Sequence, residues 1–100
     1  MKTATQFLTD ALETYKQRNA VYSNNYELVG TVMHGLFPEG LLIETPHDWE
    51  RLHIFLLQVV KMTRYARNWE KGGHAESMDD ISVYAAILNE IDSKEKPSVE

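Results

Sequence analysis

The sequence predicts an all-α protein, a compact four-helix bundle whose last two helices form an antiparallel hairpin and which forms oligomers. Apolar side chains recur at helical spacing in four segments, and Gly, Pro or Asn residues separate these segments. The short apolar run 41–43 has no partner strand, so we interpret it as a packed loop. One hundred residues with 43% hydrophobic content suit one domain. We assign residues 1–92 to this domain and 93–100 to a flexible C-terminal tail.

Two helices are predicted in the N-terminal half. The first spans about residues 4–19, with Thr3 or Thr5 as its cap. Residues 20–26 are predicted to form a turn, because Ser and Asn favour local side-chain hydrogen bonds. A second helix follows and ends at Pro38-Glu39-Gly40. The apolar stripes are Phe7, Leu8, Ala11, Leu12 and Tyr15 in the first helix, and Val29, Val32, Met33, Leu36 and Phe37 in the second.

The third helix has the clearest start signal in the chain. Thr45 is a good cap, Pro46 suits the first helical position, and Asp48 falls in the positive first turn. The helix is predicted to end near residue 70, because the glycines at 72–73 supply a stop. Its buried stripe is Leu52, Leu56, Val59, Val60, Thr63 and Ala66.

The fourth helix is predicted to open at Ser77. Ser77 and Asp80 have the S-x-x-D spacing of a capping box, in which a hydroxyl and an acid three residues on satisfy free helix donors. The inward stripe is Met78, Ile81, Tyr84, Ala85, Leu88 and Ile91.

Composition excludes several classes of function. A formal charge of −5 works against binding of duplex nucleic acid, which depends on an excess of Lys and Arg. The absence of cysteine excludes disulfides and thiolate metal sites and favours a reducing compartment. No apolar run approaches the roughly 20 residues of a membrane span, and the N-terminus lacks the features of a signal peptide. We expect a soluble cytoplasmic protein that binds no membrane.

Several large side chains exceed what one apolar stripe can bury. We expect some of them to be covered by another copy of the chain, which makes a homo-oligomer the predicted state. These side chains are Tyr15, Leu41, Phe55 and Met62.

The densest chemistry lies between Lys61 and Tyr84. The cations Lys61, Arg64 and Arg67 share a broad face beside the buried stripe of the third helix, where partial desolvation strengthens a hold on phosphate. The alternative is that these cations pair with Glu50, Glu70 or the acids of the last helix.

The acids at the start of the last helix carry more negative charge than a cap needs. We therefore expect a cation nearby, either Lys61 or Arg64 across the hairpin or a divalent ion such as Mg²⁺ held with substrate phosphates. The acids are Glu76, Asp79 and Asp80.

Three segments carry a resemblance to a known family. The pieces R-N-A-V-Y-S-N-N-Y (18–26), K-M-T-R (61–64) and H-A-E-S-M-D-D-I-S-V-Y-A-A (74–86) resemble, in order and spacing, small phage and prophage domains of unknown function. Those domains are similar to nucleotide-modification-associated domains and, more distantly, to all-α MazG-type pyrophosphohydrolases. The resemblance places these residues on motif positions: Arg18, Tyr22, Asn25, Lys61, Arg64, His74, Ser77, Asp80 and Tyr84.

The resemblance implies a nucleotide as the ligand. Two positions depart from the pattern: Ser23 replaces a usual glycine, and Glu76 stands for Asp. The E-x-x-E pair that MazG-type enzymes use for Mg²⁺ is missing, although Glu76 and Asp79 spell E-x-x-D. A metal-dependent attack on a phosphoanhydride needs its metal and its activated water. We therefore expect binding without turnover, with no catalytic residue, resident metal or cofactor.

In the predicted site, Lys61 and Arg64 hold phosphates, Tyr22 or Tyr26 stacks on a base, and His74 and Ser77 give polar contacts. The concrete form suggested by the phage-like resemblance is a sponge for the cyclic dinucleotides of host antiviral defence, acting in the bacterial host cytoplasm. Two alternatives stay open. One is a Mg²⁺-dependent nucleotide pyrophosphohydrolase or an accessory protein of nucleotide modification. The other is a protein–protein interaction module.

Overall fold

The computed structural model describes residues 1–22 and 24–95, without the side chains of residues 21, 22 and 95. The predicted all-α class is confirmed: the described residues are 81% helical and contain no strand. The elements are α1 (Ala4–Tyr22), α2 (Asn25–Leu36), α3 (Pro46–Arg67), a 3-10 turn (Trp69–Lys71) and α4 (Ala75–Glu95).

Helix α1 begins at a capping box and is longer than predicted. The Thr3 amide donates to Gln6 Oε1 at 2.8 Å, and the Gln6 amide donates to Thr3 Oγ1 at 3.3 Å. These two bonds satisfy free donors at the helix start, so Thr3 is the cap. The helix continues to Tyr22, through residues that were predicted to form a turn.

Asn24 lies between the end of α1 at Tyr22 and the start of α2 at Asn25. Asn24 has the left-handed backbone conformation, with φ of 57° and ψ of 42°, which Asn tolerates better than most residues. The Asn24 amide donates to Asn19 Oδ1 at 2.8 Å. A side chain of α1 therefore holds Asn24, the residue just before α2.

Helix α3 starts as predicted. The Asp48 amide donates to Thr45 Oγ1 at 3.1 Å and the Thr45 amide donates to Asp48 Oδ2 at 3.1 Å, which is a complete capping box with Pro46 at the first turn. The Glu44 amide also donates to Asp48 Oδ2. Backbone hydrogen bonds from Thr45 and then Glu44 lower the pKa of Asp48 below its usual value.

Helices α3 and α4 make the main contact of the fold. His47 Nε2 at the start of α3 donates to the Ile91 carbonyl at 3.0 Å near the end of α4. Arg51 Nε donates to Asp92 Oδ1 at 2.9 Å, and farther along α3 Lys61 faces Asp80. These contacts pair the start of α3 with the end of α4. The predicted inward stripe of α4 lies here and is half-buried.

The single chain is less compact than predicted. Its Cα radius of gyration is 17.5 Å, against about 13 Å for a globular chain of this length. The chain is less compact because α1 makes few contacts with the other described elements. By contrast, α2 packs on α3, and α3 packs on α4. Among the described side chains, Val59 is the one buried hydrophobic residue. The predicted stripe of α1 is exposed instead of buried in a common core.

The start of α4 differs from the prediction. The helix begins at Ala75, two residues before Ser77, so Ser77 is not the cap and the predicted Ser77–Asp80 capping box does not form. Ser77 is instead fully buried, and Asp80 turns to Lys61. Packing against α3 decides both outcomes, because a local cap cannot compete with burial and an ion pair. Helix α4 extends through 93–95, into the segment predicted as a tail; residues 96–100 lie outside the described part.

Candidate functional site

The centre of the predicted site is an ion pair between α3 and α4. Lys61 Nζ lies 2.8 Å from Asp80 Oδ2, with the Lys61 side chain 16% exposed and the Asp80 side chain 37% exposed. The pairs Lys2–Asp10, Arg51–Asp92 and Lys94–Glu90 are more open, with both partners over 40% exposed. Because exposed pairs are screened by water, the attraction in Lys61–Asp80 is stronger than in these three pairs.

Two buried hydroxyl groups, those of Ser77 and Thr63, lie close in sequence to this ion pair. Ser77 is 0% exposed, and its Oγ is hydrogen-bonded to His74 Nδ1 at 2.6 Å. Thr63 on α3 is 3% exposed and donates its hydroxyl to the Val60 carbonyl at 2.7 Å. These small residues have their polar groups satisfied, so α3 and α4 approach closely here at little desolvation cost.

The turn between α3 and α4 is fixed by its two glycines. Gly72 and Gly73 have φ of 94° and 85°, a region that strains other residues. The ring of Tyr65 lies where a Cβ on Gly73 would be, and Trp69 packs edge-on to that ring at 6.0 Å between centroids. The Gly73 amide donates to the Asn68 carbonyl at 2.8 Å and the Gly72 amide to the Trp69 carbonyl at 3.3 Å. The close approach that glycine permits is therefore to Tyr65.

The predicted site residues on α1 and α2 are spread over two helices. Arg18 is exposed on α1, and the side chain of Tyr22 lies outside the described residues. Asn25 opens α2, and its Oδ1 is buried with no hydrogen-bond partner among the described groups. Tyr26 is 65% exposed; the charge of Glu27, and next the neighbouring Tyr15, raise its pKa above the usual value.

The structure brings together some of the predicted residues. Lys61 contacts Asp80, and His74 contacts Ser77. Arg64 and Tyr84 are half-buried on α3 and α4 respectively. Arg18 lies on α1, which does not pack on α3 or α4 to a comparable degree, so a single chain does not join it to this group.

Two hollows of similar size lie elsewhere on the described surface. The first, of about 380 Å³, is lined by the loop after α2 together with α3 and α4; its apolar floor includes Phe37, Leu42 and Phe55, and Arg51 and Asp92 lie on its wall. The second, of about 360 Å³, is almost wholly apolar and is lined by Val32, Leu36, Phe55, Gln58, Val59, Met62 and Ile81. None of the predicted ligand residues lines either hollow.

Within the described residues, no group of three or more His, Asp and Glu side chains is placed to hold a metal ion. In the same part of the chain, no helix combines the length and apolar character that crossing a bilayer requires.

Sequence reasoning included Lys61 among the possible partners of the α4 acids, but it did not identify Tyr65 or the Arg51–Asp92 pair. Tyr65 had a usable signal, because an aromatic residue one turn before a helix stop with two glycines indicates a ring packed on bare backbone. The Arg51–Asp92 pair also had one: in the predicted hairpin, facing residues have numbers that add to a nearly constant value, and Arg51–Asp92 and Lys61–Asp80 follow this rule.

Comparisons with protein families, with curated proteins and with solved structures find no match to this chain. The resemblance of the three segments to phage domains therefore stays a prediction.

Proposed function

We propose that this protein binds a nucleotide without turning it over, and that Lys61 is the residue that holds its phosphate. The observation that carries this function is the half-buried Lys61–Asp80 pair. An ammonium group that is only 16% exposed interacts more strongly with an anion than a solvated one does. Asp80 is the more exposed partner, so water can solvate its carboxylate when a phosphate replaces it as the partner of Lys61.

The neighbouring polar groups support the same ligand class. His74 precedes the first residue of α4 and is bonded to Ser77, an arrangement that holds the imidazole near the positive end of a long helix. A phosphate is favoured at that end for the same electrostatic reason. The buried Oδ1 of Asn25 is an acceptor of the kind that a ribose hydroxyl or a base amino group satisfies.

The proposed ligand is a nucleotide of phage–host conflict, and a cyclic dinucleotide signal of host defence is the form to test first. The proposed setting is the bacterial host cytoplasm, and the proposed working form is a homo-oligomer in which α3 and α4 act as an antiparallel hairpin. Arg18, Arg64 and Tyr84, with Tyr22 or Tyr26 against the base, complete the site in this view.

The first experiment separates binding from turnover. The purified protein is incubated with linear and cyclic nucleotides and Mg²⁺, heated to denature it, and the released nucleotides are identified by chromatography. Recovery of one nucleotide intact after tight binding is expected. Recovery of cleaved nucleotide supports the Mg²⁺-dependent pyrophosphohydrolase instead, and no retention of any nucleotide contradicts the proposed function.

The second experiment tests the exchange at Lys61. Lys61→Ala is expected to weaken binding at least tenfold, while Lys94→Ala, which removes an exposed lysine that faces Glu90 at 3.5 Å, leaves binding unchanged. Asp80→Asn is expected to tighten binding, because it removes the carboxylate that competes with phosphate. If Asp80→Asn lowers the melting temperature and leaves affinity unchanged, the pair is a structural one only.

A protein–protein interaction module is the second candidate function, and a separate observation favours it. Four large apolar side chains on α1 are each more than half exposed. Such a contiguous apolar patch marks an interaction surface in a soluble protein.

A further inference from the structure

The exposed face of α1 is a ridge of large apolar side chains. Phe7, Leu8, Leu12 and Tyr15 are 60%, 71%, 52% and 51% exposed, and their spacing puts them on one side of the helix. With aromatic side chains offering roughly 150–250 Å² each, the ridge presents on the order of 400 Å² of surface. We call these four residues the α1 ridge.

The rest of the chain offers a matching apolar groove. This is the second hollow described above, formed where α2, α3 and α4 meet, and Gln58 is its one polar lining residue. Two of its walls stand open to solvent, since Leu36 is 52% and Met62 is 55% exposed. A ridge and a groove with the same apolar character therefore exist on one chain, which is the condition for self-association.

The surface of one chain is also too large for a folded monomer. The accessible surface is 7884 Å², against about 5800 Å² expected for a folded monomer of this mass. The excess, roughly 2000 Å² per chain, is more than the roughly 800 Å² per partner that a standard interface buries, so the chain has surface enough for such a contact.

The chain's own joint argues against α1 folding back into its own groove. α1 is tied to α2 through Asn24, whose left-handed backbone and bond to Asn19 hold the direction in which α1 departs. This bond opposes a change in that direction.

We infer that the α1 ridge of one copy occupies the groove of a second copy, and that the exchange is reciprocal. Each copy gives one ridge and receives one ridge, so the contact is made twice around a twofold axis. The occupant is thus a second copy of this chain, and the assembly completes the core that a single chain lacks.

Mass measurement tests this inference. Size exclusion with light scattering is expected to give at least twice the single-chain mass of 11.5 kDa for the unaltered protein. Leu12→Glu on the ridge and Met62→Glu in the groove are each expected to shift the mass to that of one chain, since Glu keeps helix propensity but cannot be buried unpaired. Val83→Glu is the matched control: Val83 is 56% exposed on α4 and lines neither hollow. It should leave the mass unchanged.

Cysteine pairing identifies which surfaces meet, and it does so in a chain that has no cysteine of its own. Leu12→Cys and Met62→Cys are made in separate copies, mixed and oxidised. A two-chain disulfide is expected in the mixture and in neither variant alone. Circular dichroism on the Glu variants shows whether helix content is retained, and the cysteine variants keep the test valid if those proteins unfold.

Several outcomes overturn the inference. An unaltered protein of single-chain mass at tens of micromolar rules out the second copy. A disulfide within one chain of the Leu12→Cys/Met62→Cys double variant shows that α1 covers its own groove. An oligomer whose mass is insensitive to both Glu variants places the contact on another surface.

Discussion

Helix α1 and the α3–α4 junction, residues 61–80, distribute polar and apolar groups in opposite ways. At the junction, Thr63 and Ser77 are among the most buried side chains described, and Lys61 is mostly covered. On α1, the large apolar side chains face solvent. A small polar group costs little to bury once it is hydrogen-bonded, whereas an apolar ridge gains free energy only when another surface covers it. The junction is therefore complete within one chain, and α1 is not.

Replacing Gly73 at the junction is expected to lower the free energy of unfolding more than the other substitutions below. Gly73→Ala combines a left-handed backbone, which costs roughly 1–2 kcal/mol, with overlap onto the Tyr65 ring, which costs a further 1–3 kcal/mol by analogy with overpacked cores. Urea unfolding followed by circular dichroism measures the sum.

Gly72→Ala is the matched control for this change. Gly72 shares the left-handed backbone, but a Cβ there meets nothing within 4 Å, so the backbone term of roughly 1–2 kcal/mol is all it should cost. Equal losses for the two variants would mean that the ring of Tyr65 moves aside freely and that the junction is loosely packed.

Removing the buried hydroxyl at the junction is expected to have an intermediate effect. Ser77→Ala leaves His74 without its 2.6 Å partner and should lower the free energy of unfolding by about 1–2 kcal/mol. Ser82→Ala on the exposed side of the same helix should change it by less than about 0.5 kcal/mol. Thermal unfolding of the two variants, measured side by side, tests this difference. Similar shifts in melting temperature would show that burial of Ser77 contributes nothing to stability.

Two capping boxes of the same kind provide the finest comparison, because one begins α1 and the other begins α3. Thr45→Ala should lower the free energy of unfolding by about 1 kcal/mol, since α3 belongs to the packed part of the chain. Thr3→Ala should change the main transition by less than about 0.5 kcal/mol in dilute solution, where only local fraying of α1 responds.

The measurement is a pair of melting curves at a concentration where light scattering gives the single-chain mass. If Thr3→Ala lowers the main transition as much as Thr45→Ala does under those conditions, α1 unfolds together with the rest of the chain. The contrast between the two regions would then be wrong.

Local features of the fold could be predicted from the sequence. The caps at Thr3 and Thr45 depend on partners three residues away, so the pattern of neighbouring residues is sufficient to find them. Helical spacing also identified the inward faces of α3 and α4, apart from Ala66, which is exposed, because an amphipathic stripe is a property of one segment. The segment 41–43 is a loop as predicted, since an isolated strand has no partner, but it is not packed: Leu41 is 46% and Leu42 80% exposed.

Features that depend on distant residues were harder to predict. The sequence around Ser77 fits a helix cap. Ser77 nevertheless lies within α4, and its side chain is fully buried. The pairing of Lys61 with Asp80 was one of two alternatives, and only the register of α3 against α4 selects it. The large apolar side chains of α1 are exposed, because a stripe of apolar residues does not determine which surface it will contact.

Asn24 also has a consequence for how this protein tolerates change in length. A long flexible linker would let the N-terminal arm search for its docking place, at an entropic cost that grows with the linker. Here Asn24, with its left-handed backbone held by the side chain of Asn19, lies next to the end of α1, a helix about 28 Å long. Because α1 is long, one residue inserted before α2 would displace the N-terminus of α1 by several ångströms. The connection between α1 and α2 should therefore tolerate insertions less well than its surface position suggests.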